Sequence, residues 1–235
     1  MTKLYVCEIS NLIQEVSKDE KSLEIYFEKL GKARIEHILK NNRAEDRARS
    51  LGAALLLLFA LRKNGFEPER LPDFDYIENG KPYFREFEKL HFNLSHTKNM
   101  VTCVISDEEV GVDIEHTREI KEATIKRVFT EDEKKMAGEK PEGYVKLWTM
   151  KEACAKLCGK GLSDILDGLE IVKEQNTIKI RKLNQDIRKT SCYYVIAEGK
   201  LLDSMDYPYY YSVCAKKETS VETFFTKWDN AQIKE

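Results

Sequence analysis

Apolar and polar residues alternate through the opening "KLYVCEI", the pattern of a strand. Residues 22–40 carry many charges and predict a helix, closed by the polar break "NNRAED". "RARSLGAALLLLFALRKNGF" is apolar over a wide face and predicts a core helix that stops at Asn64-Gly65. Pro68 and Pro72 mark a connection. In "DFDYIENGKPYF" short strands flank a turn at Asn79-Gly80, where glycine can take positive φ. "LHFNLSH", "MVTCVIS" and "VGVDIEH" predict three further strands, turned at "TKN" and "SDEE". "REIKEATIKRVFTEDEKKMAGE" holds short helical pieces. Pro141 and Gly143 then precede the amphipathic helix of "LWTMKEACAKLCGKGLS". "GLEIVKEQNTIKIRKL", "TSCYYVIAEGK" and "YYYSVCAKK" complete the pattern as antiparallel strands. Helices alternate with hairpin-like strands in both halves, with no low-complexity linker, so the fold class is α+β rather than a doubly wound sheet.

Composition narrows the class. In 235 residues, 42% are hydrophobic and 34% charged, which suits a globular chain with a real core and excludes fibrous or disordered classes. A net charge of -2 argues against a broad nucleic-acid footprint. "LGAALLLLFAL" is about half the length that a membrane span needs. The N-terminus does not read as a signal peptide, so a soluble cytoplasmic protein without membrane partners is expected. Six cysteines without a CxxC pair predict reduced core thiols, and the four histidines show no zinc-site spacing.

Three stretches carry candidate chemistry. On the strand "VGVDIEH", Asp113 and Glu115 point to one face and Val112 and Ile114 to the other. Two carboxylates on one face need solvent, a cation or protonation to coexist; hard oxygen donors of this kind suit Mg²⁺. A solvated strand face is the plain alternative. On the helix, Leu147, Met150, Cys154, Leu157 and Cys158 recur as a buried stripe, while Glu152 and Lys156 lie one turn apart. Taken alone, the latter two fit an exposed ion pair. With Asp113 and Glu115 opposite, Glu152 would be a third metal-binding acid and Lys156 would meet phosphate oxygens. Gly80 and Lys81, in "NGKPYF", and Ser95 and His96, in "FNLSH", offer backbone access, charge and hydrogen bonds to a phosphate, or simply turn chemistry. "GKGLS" lacks the first glycine of a phosphate loop at its required place and is set aside.

In this order and spacing, "GKPYF", "FNLSH", "VGVDIE" and "LWTMKEACAKLCGKGLS" resemble the Sfp-type 4'-phosphopantetheinyl transferases, most strongly over residues 79–163. The resemblance implies two similar halves related by a pseudo-two-fold, each an antiparallel sheet with a long helix, here residues 1–105 and 106–235. It implies a monomer that binds coenzyme A between the halves and transfers phosphopantetheine to a serine of an acyl or peptidyl carrier protein, releasing adenosine 3',5'-bisphosphate. Residue by residue, it implies Asp113, Glu115 and Glu152 as ligands of Mg²⁺ (or Mn²⁺), with Glu152 also the candidate base. Lys156 would stand at the reacting phosphate, Ser95 and His96 on phosphate, and Gly80 and Lys81 at the nucleotide end. Arg34 and Arg49 would hold the 3'-phosphate. Tyr76 stands near where some members carry a basic residue. Lys121, Lys126, Arg127 and Phe129 are expected to face the carrier. A Mg²⁺-dependent nucleotide pyrophosphate hydrolase and a non-catalytic coenzyme-A-binding module are the alternatives.

Overall fold

A computed structural model describes residues 1–78, 80–87, 89–159, 168–175, 177–182 and 192–228. Asn79 of the expected turn, residues 160–163 of "GKGLS" and the ends of the expected strands between residues 182 and 192 lie outside them.

Strand β1 (Thr2–Glu8) runs straight into α1 (Ser10–Lys18), a helix that the sequence pattern did not predict. The single helix expected over residues 22–40 is two pieces: a 3-10 helix over Glu20–Lys29 and α2 over Lys32–Leu39. The break has a local cause. Leu30 bridges to Leu71, and the Gly31 N–H donates to the Leu71 carbonyl at 3.2 Å, so tertiary pairing takes the hydrogen bonds that a continuous helix would use. Helix α3 (Ala44–Lys63) is buried on almost every side and ends at Asn64 as expected. The hairpin of β2 (Asp75–Tyr76) and β3 (Pro82–Tyr83) turns through Gly80 at φ +80°. Strands β4 (His91–Thr97), β5 (Met100–Ser106) and β6 (Val110–His116) fall where the pattern put them. Helices α4 (Glu122–Val128), α5 (Glu131–Ala137) and α6 (Pro141–Cys158) follow. The chain then forms β7 (Leu169–Glu174), β8 (Thr177–Lys182), β9 (Cys192–Leu202), β10 (Pro208–Ala215) and β11 (Val221–Lys227).

Besides the β2-β3 hairpin, the described residues form two larger sheets, with strand orders β11-β1-β5-β4 and β6-β10-β9-β8-β7. The second is antiparallel throughout, as expected. The first is not: β11 pairs parallel to β1, with Val221 opposite Thr2 and Lys227 opposite Glu8. The last described strand therefore returns to the first sheet. Each sheet carries one long helix, so the α+β class holds.

Strand alternation assigns the layers. Tyr5, Cys7, Val101, Cys103 and Ile105 face the core under α3. Their neighbours Leu4, Val6, Met100 and Val104 face the second sheet, where Val110, Val112, Ile114, Tyr209 and Val213 meet them. A third cluster, with Leu147, Met150, Cys154 and Cys214, lies under α6. The order is helix, sheet, sheet, helix, and β1, β5 and most of β6 bury both faces. Cys7, Cys103 and Cys214 are buried free thiols; burial raises the pKa of all three, Cys7 to about 12, in keeping with the reduced core thiols expected.

Lys151, one residue before Glu152, is not on a wet face: it and Glu133 are fully buried. Its ammonium donates to Glu133 Oε2 at 2.7 Å, to the Val128 carbonyl at 2.6 Å and to the Leu169 carbonyl at 2.8 Å. All three donors are satisfied, which is what makes a buried ammonium tolerable. Glu133 in turn accepts from the backbone N–H groups of Thr130 at 2.8 Å and Ile171 at 2.7 Å. This network ties α4, α5 and β7 to α6. Lys151→Ala strands a buried carboxylate and should lower unfolding stability by about 3–5 kcal/mol. Urea denaturation checks this, and a loss below about 1 kcal/mol contradicts it.

Candidate active site

The site begins at a glycine. On β6, Gly111, Asp113 and Glu115 point away from the apolar cluster, toward α6. A Cβ on Gly111 would stand 2.1 Å from the Ala153 carbonyl oxygen and 2.4 Å from the Leu157 nitrogen. Only glycine lets the helix backbone lie directly on the strand. That approach sets Glu152 and Lys156, on the same stretch of α6, against Asp113. Thr149 Oγ1, 2.9 Å from Ser212 Oγ on β10, fixes the helix at a second point.

Edge strand β4 lies beside edge strand β6, and side chains join them. Asn93 Oδ1 accepts the Val112 N–H at 3.0 Å, and Ser95 Oγ accepts the Ile114 N–H at 3.4 Å. Thus the alternate residues of "FNLSH" satisfy donors that a further strand would otherwise take. Ser95 Oγ also donates to Asp113 Oδ1 at 2.8 Å and accepts from Lys156 Nζ at 2.8 Å. Lys156 Nζ reaches the same Asp113 oxygen at 2.7 Å. Asp113 is only 5% exposed, and its other oxygen, Oδ2, is buried without a partner. Glu115 lies further along β6, bound by Thr97 Oγ1 at 3.3 Å and by Arg118. Arg118 is a site residue that the sequence reading missed; its only signal was a cation three positions after the second acid.

The three acids feel one another. Burial and then the Asp113 charge push Glu152 up to about 7, and the same two causes raise Glu115. Glu152 has no hydrogen-bond or ion-pair partner among the described residues. No three acids, histidines or cysteines among the described residues converge as a ready metal cage. The donor set nevertheless fits a hard divalent ion: three carboxylates, one with a buried oxygen that has no partner among the described residues and one pushed up by burial and the Asp113 charge.

Basic groups lie on the other side of Lys156. His96, next along β4 from buried Ser95, turns the opposite way and keeps exposed surface. Its crowded surroundings, then Lys156, Arg49 and Arg34, push its imidazole down to about 4. Arg34 donates to the Ser50 carbonyl at 2.9 Å and stacks over Phe74 at 5.4 Å, and its buried Nε has no partner. Arg49 pairs with Asp46 at 2.7 Å and reaches the Lys98 carbonyl at 3.2 Å. Tyr76 is more than half exposed on β2. His96, Arg34, Arg49 and Lys156 are therefore brought together.

Two residues lie elsewhere than a ligand-facing reading suggests. Lys81 Nζ donates to the Val110 carbonyl at 3.0 Å and to the Leu157 carbonyl at 3.2 Å. It clasps the start of β6 to the negative end of α6, where a cation is favoured. Phe129, expected on a docking face, is buried in the core with Lys151 over its ring at 5.2 Å. Lys126 pairs with Glu122 at 2.6 Å on an exposed face of α4.

Residues 109–211, which span β6 to β10 and include all three acids, match the profile of the 4'-phosphopantetheinyl transferase superfamily. Over that segment the resemblance read from the sequence is borne out. Among its relatives is 4'-phosphopantetheinyl transferase psf-1 of Bacillus pumilus, 42% identical over 95 residues, 38% of this chain and 41% of the relative. A 4'-phosphopantetheinyl transferase of Bacillus subtilis is 33% identical over 146 residues, covering 58% and 63%. 4'-phosphopantetheinyl transferase Sfp of Bacillus subtilis (strain 168) is 35% identical over 108 residues, covering 44% and 48%. The chain thus spans about half the length of the relatives it matches.

The Asp113–Lys156 pair gives a direct check. Lys156→Met leaves a buried carboxylate without its cation and should lower stability by roughly 2 kcal/mol; Lys156→Met with Asp113→Asn should recover most of that loss. Thermal unfolding of the double-mutant cycle measures the coupling. Equal losses in the single and double variants contradict the pairing.

Proposed function

We propose that this chain transfers 4'-phosphopantetheine from coenzyme A to a serine hydroxyl of an apo carrier protein, with adenosine 3',5'-bisphosphate as the other product. The observation that carries the reading is the meeting of Asp113, Glu152 and Lys156 where α6 crosses β6, inside the segment shared with the transferases. The sheets and helices support a pair of similar halves with a pseudo-two-fold relation, and coenzyme A in the cleft between them. We place the protein in the cytoplasm, acting as a monomer.

The chemistry asked of the side chains is limited. A serine oxygen attacks the phosphorus that bears pantetheine, the bond from that phosphorus to the bridging oxygen breaks, and the nucleotide leaves with the bridging oxygen. Negative charge spreads over the phosphoryl oxygens in the transition state, so positioning and charge balance dominate. Lys156 already stands at the acid cluster and can turn its ammonium toward a phosphate oxygen. Arg34, Arg49 and His96 form a basic wall suited to the nucleotide's phosphates; its neutral imidazole lets His96 donate one hydrogen bond without adding a repelling charge. Ser95 keeps Asp113 and Lys156 in register, a supporting role more than a phosphate contact. Lys81 holds α6 to β6, and Gly80 shapes the adjoining hairpin. Asp113, Glu115 and Glu152 would hold Mg²⁺ or Mn²⁺, which when bound supplies Lewis-acid stabilisation of the diphosphate. Glu152, desolvated and near neutrality, is also suited to take the serine proton, a role that competes with metal ligation. Lys121, at the head of α4, remains the exposed basic group best placed to meet an acidic carrier.

Incubating the protein with coenzyme A, Mg²⁺ and a panel of apo carriers should add one phosphopantetheine to a carrier, read by intact mass. Cleavage of coenzyme A without modification of any carrier would favour the hydrolase, and binding without cleavage the non-catalytic module. Asp113→Ala should abolish transfer in a folded protein; near wild-type labelling refutes the assignment of that acid. Glu152→Gln should reduce turnover by at least about 100-fold while coenzyme A affinity changes little, as for a group acting in the transition state. Parallel losses in both quantities would assign it to binding instead.

A further inference from the structure

The Glu115 carboxylate is already taken. Arg118, in the segment between β6 and α4, donates Nη1 to Oε2 at 2.8 Å and Nη2 to Oε1 at 3.2 Å. Both oxygens are engaged by one planar guanidinium, the strongest pairing that geometry offers a carboxylate. The backbone between the two residues is pinned, since the Thr117 N–H donates to the Pro208 carbonyl at 2.9 Å. Arg118's side chain is still 37% exposed, so it can swing out without moving that backbone. Its positive charge is felt at Glu152 as well.

The three acids thus share two protein cations: Lys156 on Asp113 and Arg118 on Glu115. Arg118 donates to one lone pair on each Glu115 oxygen and Thr97 to a second on Oε2, so a divalent ion at Glu115 competes with a held guanidinium for the same carboxylate charge. We propose that Arg118 is a positioning residue that competes with a divalent cation for Glu115 and thereby sets the affinity for the cation. This rests on the reading of Glu115 as a metal ligand. Displacement moves one charge out as another enters, so the acid cluster never stands uncompensated. The released guanidinium comes free at the edge of the cleft, beside the start of α4.

Binding of Mn²⁺ alone, followed by electron paramagnetic resonance on wild type, Arg118→Gln, Arg118→Lys and Glu115→Gln, tests the proposal without any turnover. Arg118→Gln should bind Mn²⁺ about ten-fold more tightly than wild type, the scale of one charge-assisted competitor removed. Arg118→Lys should fall between them, and Glu115→Gln should bind more weakly. In wild type, the Arg118 Nε–H resonance should shift as Mg²⁺ is added, a readout that does not depend on any variant folding. Equal or weaker Mn²⁺ binding by Arg118→Gln, or a resonance that stays put at saturating Mg²⁺, overturns the proposal. If Glu115→Gln weakens binding while Arg118→Gln matches wild type, the ligand reading survives and only the competing role falls. If no protein binds the ion, both fall.

Discussion

Everything at the candidate site depends on one approach of backbone to backbone. At Gly111, α6 rests on β6 with no side chain between them. An ordinary helix-on-sheet spacing is filled by side chains, and the polar groups of the helix would then stand a layer further away. Here the missing Cβ draws the last turns of α6 onto the strand that carries Asp113 and Glu115. Lys81 closes the same contact from the hairpin, and Thr149 with Ser212 closes it from β10. The buried Lys151–Glu133 network then fixes α6 from its other side. The helix is held on several sides before any ligand arrives, which is the preorganisation that electrostatic catalysis needs.

The second constraint is charge. Three carboxylates lie close enough to raise two of one another's pKa values, and burial removes most of the water that would screen them. The protein tolerates this by spreading Lys156, Arg118, Ser95 and Thr97 over two of them, while burial pushes Glu152 up to about 7. The same balance suits the proposed divalent ion and the proposed anionic diphosphate.

Much of this was legible in the sequence because it follows period and spacing. Strict alternation in "VGVDIEH" fixed which side chains share a face, and the pairing with Glu152 and Lys156 followed from the helical repeat and the family resemblance. What escaped were features set by distant parts of the chain. Strand β11 has the alternation of a half-exposed strand, but nothing local says that it returns to pair parallel with β1. The first-half helix broke at Gly31 because Leu71 pairs there. Nothing in the local sequence says that Lys151 is buried, and its partners Val128, Glu133 and Leu169 come from other elements. Phe129 looked like a docking group and is core. Arg118 carried no motif, since its role comes from a loop geometry that one lysine-rich or arginine-rich stretch shares with many others.

The claim that the site rests on direct contact between helix and strand is tested most directly at residue 111. A single methyl there has no flexible neighbour to push aside, because both nearest atoms belong to the α6 backbone. Thermal unfolding of Gly111→Ala should show a loss on the order of 3 kcal/mol, as for a severe overpacking, against wild type under the same conditions. A midpoint equal to that of wild type would mean that α6 does not lie on β6 as described, and that Glu152 and Lys156 are positioned by something else.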